Sequence, residues 1–125
     1  MPRILVVDDE RGMRVTLADI LRDRGCRVET AETGEQAVRM CAATEFDVIL
    51  MDVRMRGIDG TEAFRRIQRR RANVRVIMMS AYALEHLERE ALAMGAIAFL
   101  RKPLDVDALL ELIDGLPAES RSQTS

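Results

Sequence analysis

The stretch Ile49-Leu50-Met51-Asp52-Val53-Arg54-Met55-Arg56-Gly57-Ile58-Asp59-Gly60 decides the fold. Four apolar residues, Val48 to Met51, run straight into Asp52, and a turn-prone segment from Arg56 to Gly60 follows. A short apolar run bounded by turn signals reads as a strand buried on both faces. Asp52 then lies where a parallel strand gives way to its loop, the edge at which open α/β sheets bind ligands. A carboxylate there is a nucleophile, a metal ligand or a cap.

The flanking sequence repeats the motif. Upstream, Ile4 to Val7 forms an aliphatic strand ending in Asp8-Asp9-Glu10. Met13, Leu17, Ile20 and Leu21 follow at helical spacing, and Gly25 closes that helix. Arg27 to Ala31 alternates in character, as suits an edge strand, and Thr33-Gly34-Glu35-Gln36 has the form of a capping box. The helix it opens packs through Ala37, Val38, Met40 and Cys41.

Downstream, a helix over Thr61–Arg71 turns Ala63, Phe64 and Ile67 inward, and Val74 to Met79 is a strand ending at Ser80. A helix over Ala83–Met94 is expected to bury Leu84, Leu87, Ala91 and Leu92. Gly95 closes it, and Ala96 to Leu100 is the fifth strand. Arg101-Lys102-Pro103 leads to a last helix with Asp105 as N-cap and a Leu104–Leu109 staple. Its apolar face is Leu109, Leu110, Leu112, Ile113 and Leu116. Five strand–helix units in strict alternation predict an α/β three-layer sandwich around a parallel five-stranded sheet. The expected topology is flavodoxin-like, (βα)5 with strand order 2-1-3-4-5. Residues 1–117 are expected to form the domain and 118–125 a polar, disordered tail.

Composition narrows the function. The chain has 125 residues, 48% of them hydrophobic and only 3% aromatic, so one domain with an aliphatic core is expected. A net charge of −2 from well-mixed acids and bases gives no general drive toward nucleic acid or membrane. The N-terminus enters a strand pattern at once, without a signal-peptide layout. Cys26 and Cys41 sit in apolar settings without metal-type spacing. Both features lead to the expectation of a cytoplasmic protein with reduced packing thiols. Eighteen of the 19 basic residues are arginine, and the only lysine is Lys102.

In a parallel sheet every strand's C-terminal end faces one edge. Asp8, Asp9, Asp52, Ser80 and Lys102 therefore converge there. Three carboxylates this close repel one another, and Mg²⁺, an oxygen-seeking cation that wants few carboxylates plus a phosphate, resolves the repulsion. Ser80 and Lys102 on the opposite wall suit phosphoryl oxygens, and a carboxylate can act as nucleophile to give an aspartyl phosphate.

With those residues in place, the chain resembles a response-regulator receiver domain of bacterial two-component, or phosphorelay, signalling. The resemblance runs from Arg3 to about Leu116 and rests on L-V-V-D-D-E, M-D-V-R-M-R-G-I-D-G, M-M-S-A-Y and G-A-I-A-F-L-R-K-P-L. It implies that Asp52 is the phosphoacceptor. Asp9 and Asp52 would bind Mg²⁺ directly, Mn²⁺ being an allowed substitute, with the Arg54 backbone carbonyl as a third ligand and Asp8 acting through water. Lys102 would pair with the phosphoryl group, Ser80 would be the switch hydroxyl, and Phe99 the aromatic that turns inward on activation. Lys102-Pro103 would be a cis peptide. Arg54 and Tyr82 would flank the path of the attacking water, and their size predicts slow self-hydrolysis.

The implied partners are a sensor histidine kinase or histidine phosphotransfer protein and a downstream protein or effector domain. Neither nucleic acid nor membrane is expected to bind this domain directly. The domain would catalyse only its own phosphorylation and dephosphorylation. One departure stands out: the family usually has proline where this chain has Arg56. Losing a fixed φ predicts a looser loop with an extra positive charge beside the site.

Two rivals on the same sequence fare worse. A small aspartyl-phosphate phosphatase or phosphotransferase needs a second acid–base carboxylate two residues beyond its nucleophile, where this chain has Arg54. A flavodoxin-like nucleotide binder needs a glycine-rich phosphate loop after the first strand, which here reads Asp-Asp-Glu-Arg-Gly-Met. Arg65, Arg66, Arg69, Arg70 and Arg71 cluster toward a helix C-terminus, where cations are favoured, and read as a solvated helix end. His86, the only histidine, reads as a surface residue.

Overall fold

The computed structural model describes residues 1–82 and 85–116. The expected tail, 118–125, and the expected helix residues Ala83 and Leu84 lie outside them. Five strands, β1 (Arg3–Val7), β2 (Arg27–Ala31), β3 (Val48–Asp52), β4 (Val76–Ser80) and β5 (Ala98–Arg101), alternate with five helices. The helices are α1 (Arg11–Asp23), α2 (Gly34–Ala43), α3 (Gly60–Arg70), α4 (Glu85–Met94) and α5 (Val106–Asp114). The sheet is parallel throughout, in the order β2-β1-β3-β4-β5, as the sequence pattern predicts. Its alternating side chains feed two cores. Leu5, Val7, Ile49, Met51, Val76 and Met78 face one way, with Ala37, Phe64 and Ala91 from α2, α3 and α4. Ile4, Val6, Val48, Leu50, Ile77 and Met79 face the other, with Leu17 and Leu21 from α1 and Leu109 and Ile113 from α5. Every residue of β3 and β4 is buried, which is why their sequences are nearly unbroken apolar runs.

Local chemistry sets the element ends. Gly25 and Gly95 both have positive φ. In each case its own N–H and the next one bond back into the last helical turn, onto Arg22 and Leu21 or onto Leu92 and Ala91. Asp59 and Asp105 cap α3 and α5 through their carboxylates. The box at Thr33 is displaced by one residue: Thr33 accepts from the Gln36 N–H, but Gln36 reaches back to the Glu32 N–H instead of to Thr33.

Several boundaries move by one or two residues. β4 begins at Val76 instead of Val74, β5 at Ala98 instead of Ala96, and β3 extends through Asp52. Ala96 is taken up in ending α4. Leu92, expected in the core, is 45% exposed. Helix α4 buries only Ala91 fully, and the face carrying Leu92 lies outside that narrow stripe.

Candidate functional site

The crevice is built from the ends of three strands and one loop. β1 ends beside β3, with Val7 opposite Met51, so the residues that follow them meet. Oxygen atoms of Asp8, Asp9 and Asp52 lie within 4.8 Å of one another. Asp8 is wholly buried and Asp52 nearly so, while Asp9 is half-buried. From across the sheet, Lys102 Nζ donates to Asp8 Oδ2 at 2.7 Å and lies 3.4 Å from Asp52 Oδ2. The Lys102-Pro103 peptide is cis, as expected.

Neither Asp8 nor Asp9 is the N-cap of α1. The N-cap of α1 is Glu10, which makes no side-chain cap, and Asp8 Oδ1 accepts from the Glu10 N–H at 3.0 Å. Asp8 is thus committed on one oxygen to its own loop and on the other to Lys102.

Electrostatics follow from burial. Desolvation pushes the Asp52 carboxyl up to about 6, the Asp8 charge adds to this, and Lys102 and a hydrogen bond from the Arg54 backbone hold it back. Burial alone would make the Lys102 ammonium easier to deprotonate, but Asp8 and Asp52 outweigh it and its pKa is raised. One ammonium does not neutralise three carboxylates. The unbalanced charge and an all-oxygen donor set fit a hard divalent cation such as Mg²⁺.

At the far side of the crevice Ser80, completely buried at the end of β4, accepts from the Tyr82 N–H at 3.0 Å. The Lys102 N–H donates to the Ser80 carbonyl at 2.8 Å, so hydroxyl and ammonium belong to adjacent rungs.

A family model described as the response regulator receiver domain matches residues 4–114. The chain belongs to the response-regulator receiver family. The receiver is 38% identical over 113 residues to the chemotaxis protein CheY of Bacillus subtilis (strain 168), covering 90% of this chain and 94% of that one. It is 37% identical over 122 residues to the transcriptional regulatory protein ZraR of Klebsiella oxytoca, of which it spans only 28%. The Thermotoga maritima response regulator TrrA, solved in complex with Mg²⁺-BeF, superposes with a TM-score of 0.84 at 32% identity, covering 94% of this receiver and all of that chain.

The Arg54 guanidinium lies over the Tyr82 ring, 5.3 Å from its centroid, so the two side chains stand together. Phe99 is half-buried against the core on the α2–α3–α4 side of the sheet. Arg56 donates its backbone N–H to Asp9 Oδ2 at 3.2 Å, a bond that proline cannot make.

Three of the five clustered arginines are engaged with protein groups: Arg66 pairs with Glu62, Arg65 with Glu62 and Glu90, and Arg71 bonds the Cys41 carbonyl. His86 is exposed near the start of α4. No described helix is long and apolar enough to cross a membrane.

Two residues that hold the site were missed. Glu35, read only as part of a cap, accepts the Ile58 N–H at 3.3 Å and braces the loop after β3. Gly60 lies so close to the Asp52 carbonyl that a Cβ there would sit 2.2 Å from that oxygen. The sequence signal for Gly60 was its place in the Ile58-Asp59-Gly60 turn; for Glu35 there was none.

Proposed function

We propose that this receiver takes a phosphoryl group from a phosphohistidine donor onto Asp52. One Asp52 oxygen bonds to phosphorus as the donor's P–N bond breaks and its imidazole leaves. The observation that carries this reading is the buried Asp52 carboxylate, 3.4 Å from the chain's only lysine and grouped with Asp8 and Asp9. Asp9, Asp52 and the Arg54 backbone carbonyl are the ligands for Mg²⁺, or Mn²⁺ in its place, with Asp8 acting through water. The cation neutralises charge on the transferring phosphoryl oxygens. Lys102 exchanges its carboxylate contacts for a phosphoryl oxygen. Ser80 turns from the Tyr82 N–H toward the same group, and Phe99 packs inward behind it. The equilibrium between two arrangements of the α4–β5–α5 surface then shifts, and that surface meets the output partner or effector domain.

Arg54 and Tyr82 shield the aspartyl phosphate from water and lengthen its life. The domain turns over no external substrate, and it acts in the cytoplasm between a sensor kinase or phosphotransfer protein and its output. Incubation with Mg²⁺ and acetyl phosphate, followed by intact mass measurement, tests the core of this reading. Wild type should gain one phosphoryl group and Asp52→Ala none. An equal adduct on both proteins would refute it.

A further inference from the structure

Asp9 is the least buried of the three carboxylates, and it has a second partner supplied by the chain itself. The Arg56 N–H donates to Asp9 Oδ2 at 3.2 Å, and the Arg56 Nε lies 3.9 Å from the same oxygen. The backbone just after Arg56 is held. Gly57 turns it with φ of +80°, and the Ile58 N–H is fixed by Glu35 on α2. The guanidinium lies beside Asp9 and is largely exposed. Its neighbour Arg54 is directed elsewhere, over Tyr82.

We propose that Arg56 is an internal competitor for the cation of this crevice and sets its affinity. This rests on the Mg²⁺ reading above. A divalent ion entering the crevice must share Asp9 with the Arg56 N–H and approach a resident guanidinium. A neutral residue at 56 would leave the carboxylates balanced by Lys102 alone. The receiver thus needs a higher concentration of free Mg²⁺ to load than the same crevice without Arg56. The chemistry that recognises Asp9 in the metal-free protein is the chain's own.

Calorimetric titration of the unphosphorylated protein with MgCl₂ at low salt tests this. Arg56→Ala should bind Mg²⁺ tighter than wild type by roughly two- to fivefold, the range of a partly exposed ion pair. Arg56→Pro, which also removes the N–H, should gain at least as much, and Arg56→Lys should stay near wild type. Arg70→Ala, the same charge change on the distant outer end of α3, should leave affinity unchanged. The Arg56→Ala gain should shrink at about 0.5 M salt, where screening is strong. Equal affinities in Arg56→Ala and wild type would overturn the proposal while leaving the metal site intact. So would an equal gain in Arg70→Ala. No Mg²⁺ binding by wild type or Arg56→Ala would overturn this proposal and the metal reading together.

Discussion

The loop after β3 and the surface formed by α4 and β5 are both close to the crevice, yet they are built in opposite ways. The first is held at every few residues. Asp9 takes the Arg56 N–H, Glu35 takes the Ile58 N–H, Val53 accepts the Gly60 N–H at 2.7 Å, and Gly60 packs against the Asp52 carbonyl. The second is held thinly. The residues of β5 are half-buried or exposed where those of β3 and β4 are all buried, α4 fully buries only Ala91, and Tyr82, Leu92 and Ile97 stand in solvent. A carboxylate that must meet a phosphorus atom needs a fixed position. A surface that must change a partner's affinity needs two arrangements of similar energy. The difference places the two demands in separate parts of one small domain.

The largest effect should come from breaking the tight side. Gly60→Ala forces a Cβ against backbone that cannot move without moving Asp52, and it should cost about 3 kcal/mol or more. Chemical denaturation would read this as a shifted midpoint. A loss under ~1 kcal/mol would mean that the loop is looser than its contacts imply.

Next is the strain of burying Asp52. Its carboxyl is raised from 3.8 to about 6, so the native state binds a proton more readily than the unfolded state does. This group's contribution to stability therefore falls as pH rises from about 4 to about 6 and stays low above that. Asp52→Asn should stabilise the metal-free protein at pH 7 by ~1–2 kcal/mol, less than the full shift because Lys102 loses a charged partner. The gain should fade toward pH 4. Thermal melts across that range check it, and a gain that grew on acidification would contradict the sign.

Glu35→Ala should cost about 1 kcal/mol, one hydrogen bond to a half-buried N–H, and should speed hydrogen exchange at Ile58 more than at Ile97. On the thin side, Leu92→Ser should change stability by less than ~0.5 kcal/mol, because little apolar surface is lost. A larger loss would blur the contrast between the two regions. The smallest signal is chemical. Burial pushes the Cys41 thiol up to about 11 and also raises Cys26, so neither should react with a thiol reagent at pH 7.5 until the fold opens. Reaction at Cys41 ahead of Cys26 would show the α2 side opening first.

What could be read in advance divides along a physical line. Strands β3 and β4 announce themselves because burial on both faces leaves unbroken apolar runs, a local property. Asp8, Asp9, Asp52 and Lys102 could be grouped before any coordinates because parallel topology sends every strand end to one edge. The burial of Leu92, the start of β5 and the reach of Gln36 were misjudged. Each depends on how far one element stands from another, which periodicity does not encode. Glu35 is the sharpest case: its bond to Ile58 spans 23 positions and joins two segments that carry no mutual signal.

The solitary lysine has a practical consequence. Its ammonium sits against Asp8 and Asp52, and every other basic side chain except that of His86 is a guanidinium. Protein grown with ¹⁵N-lysine would therefore give a spectrum with one side-chain nitrogen, located where cation and phosphoryl group are expected to arrive. The unaltered molecule carries its own reporter, and each loading step could be followed as the movement of a single line.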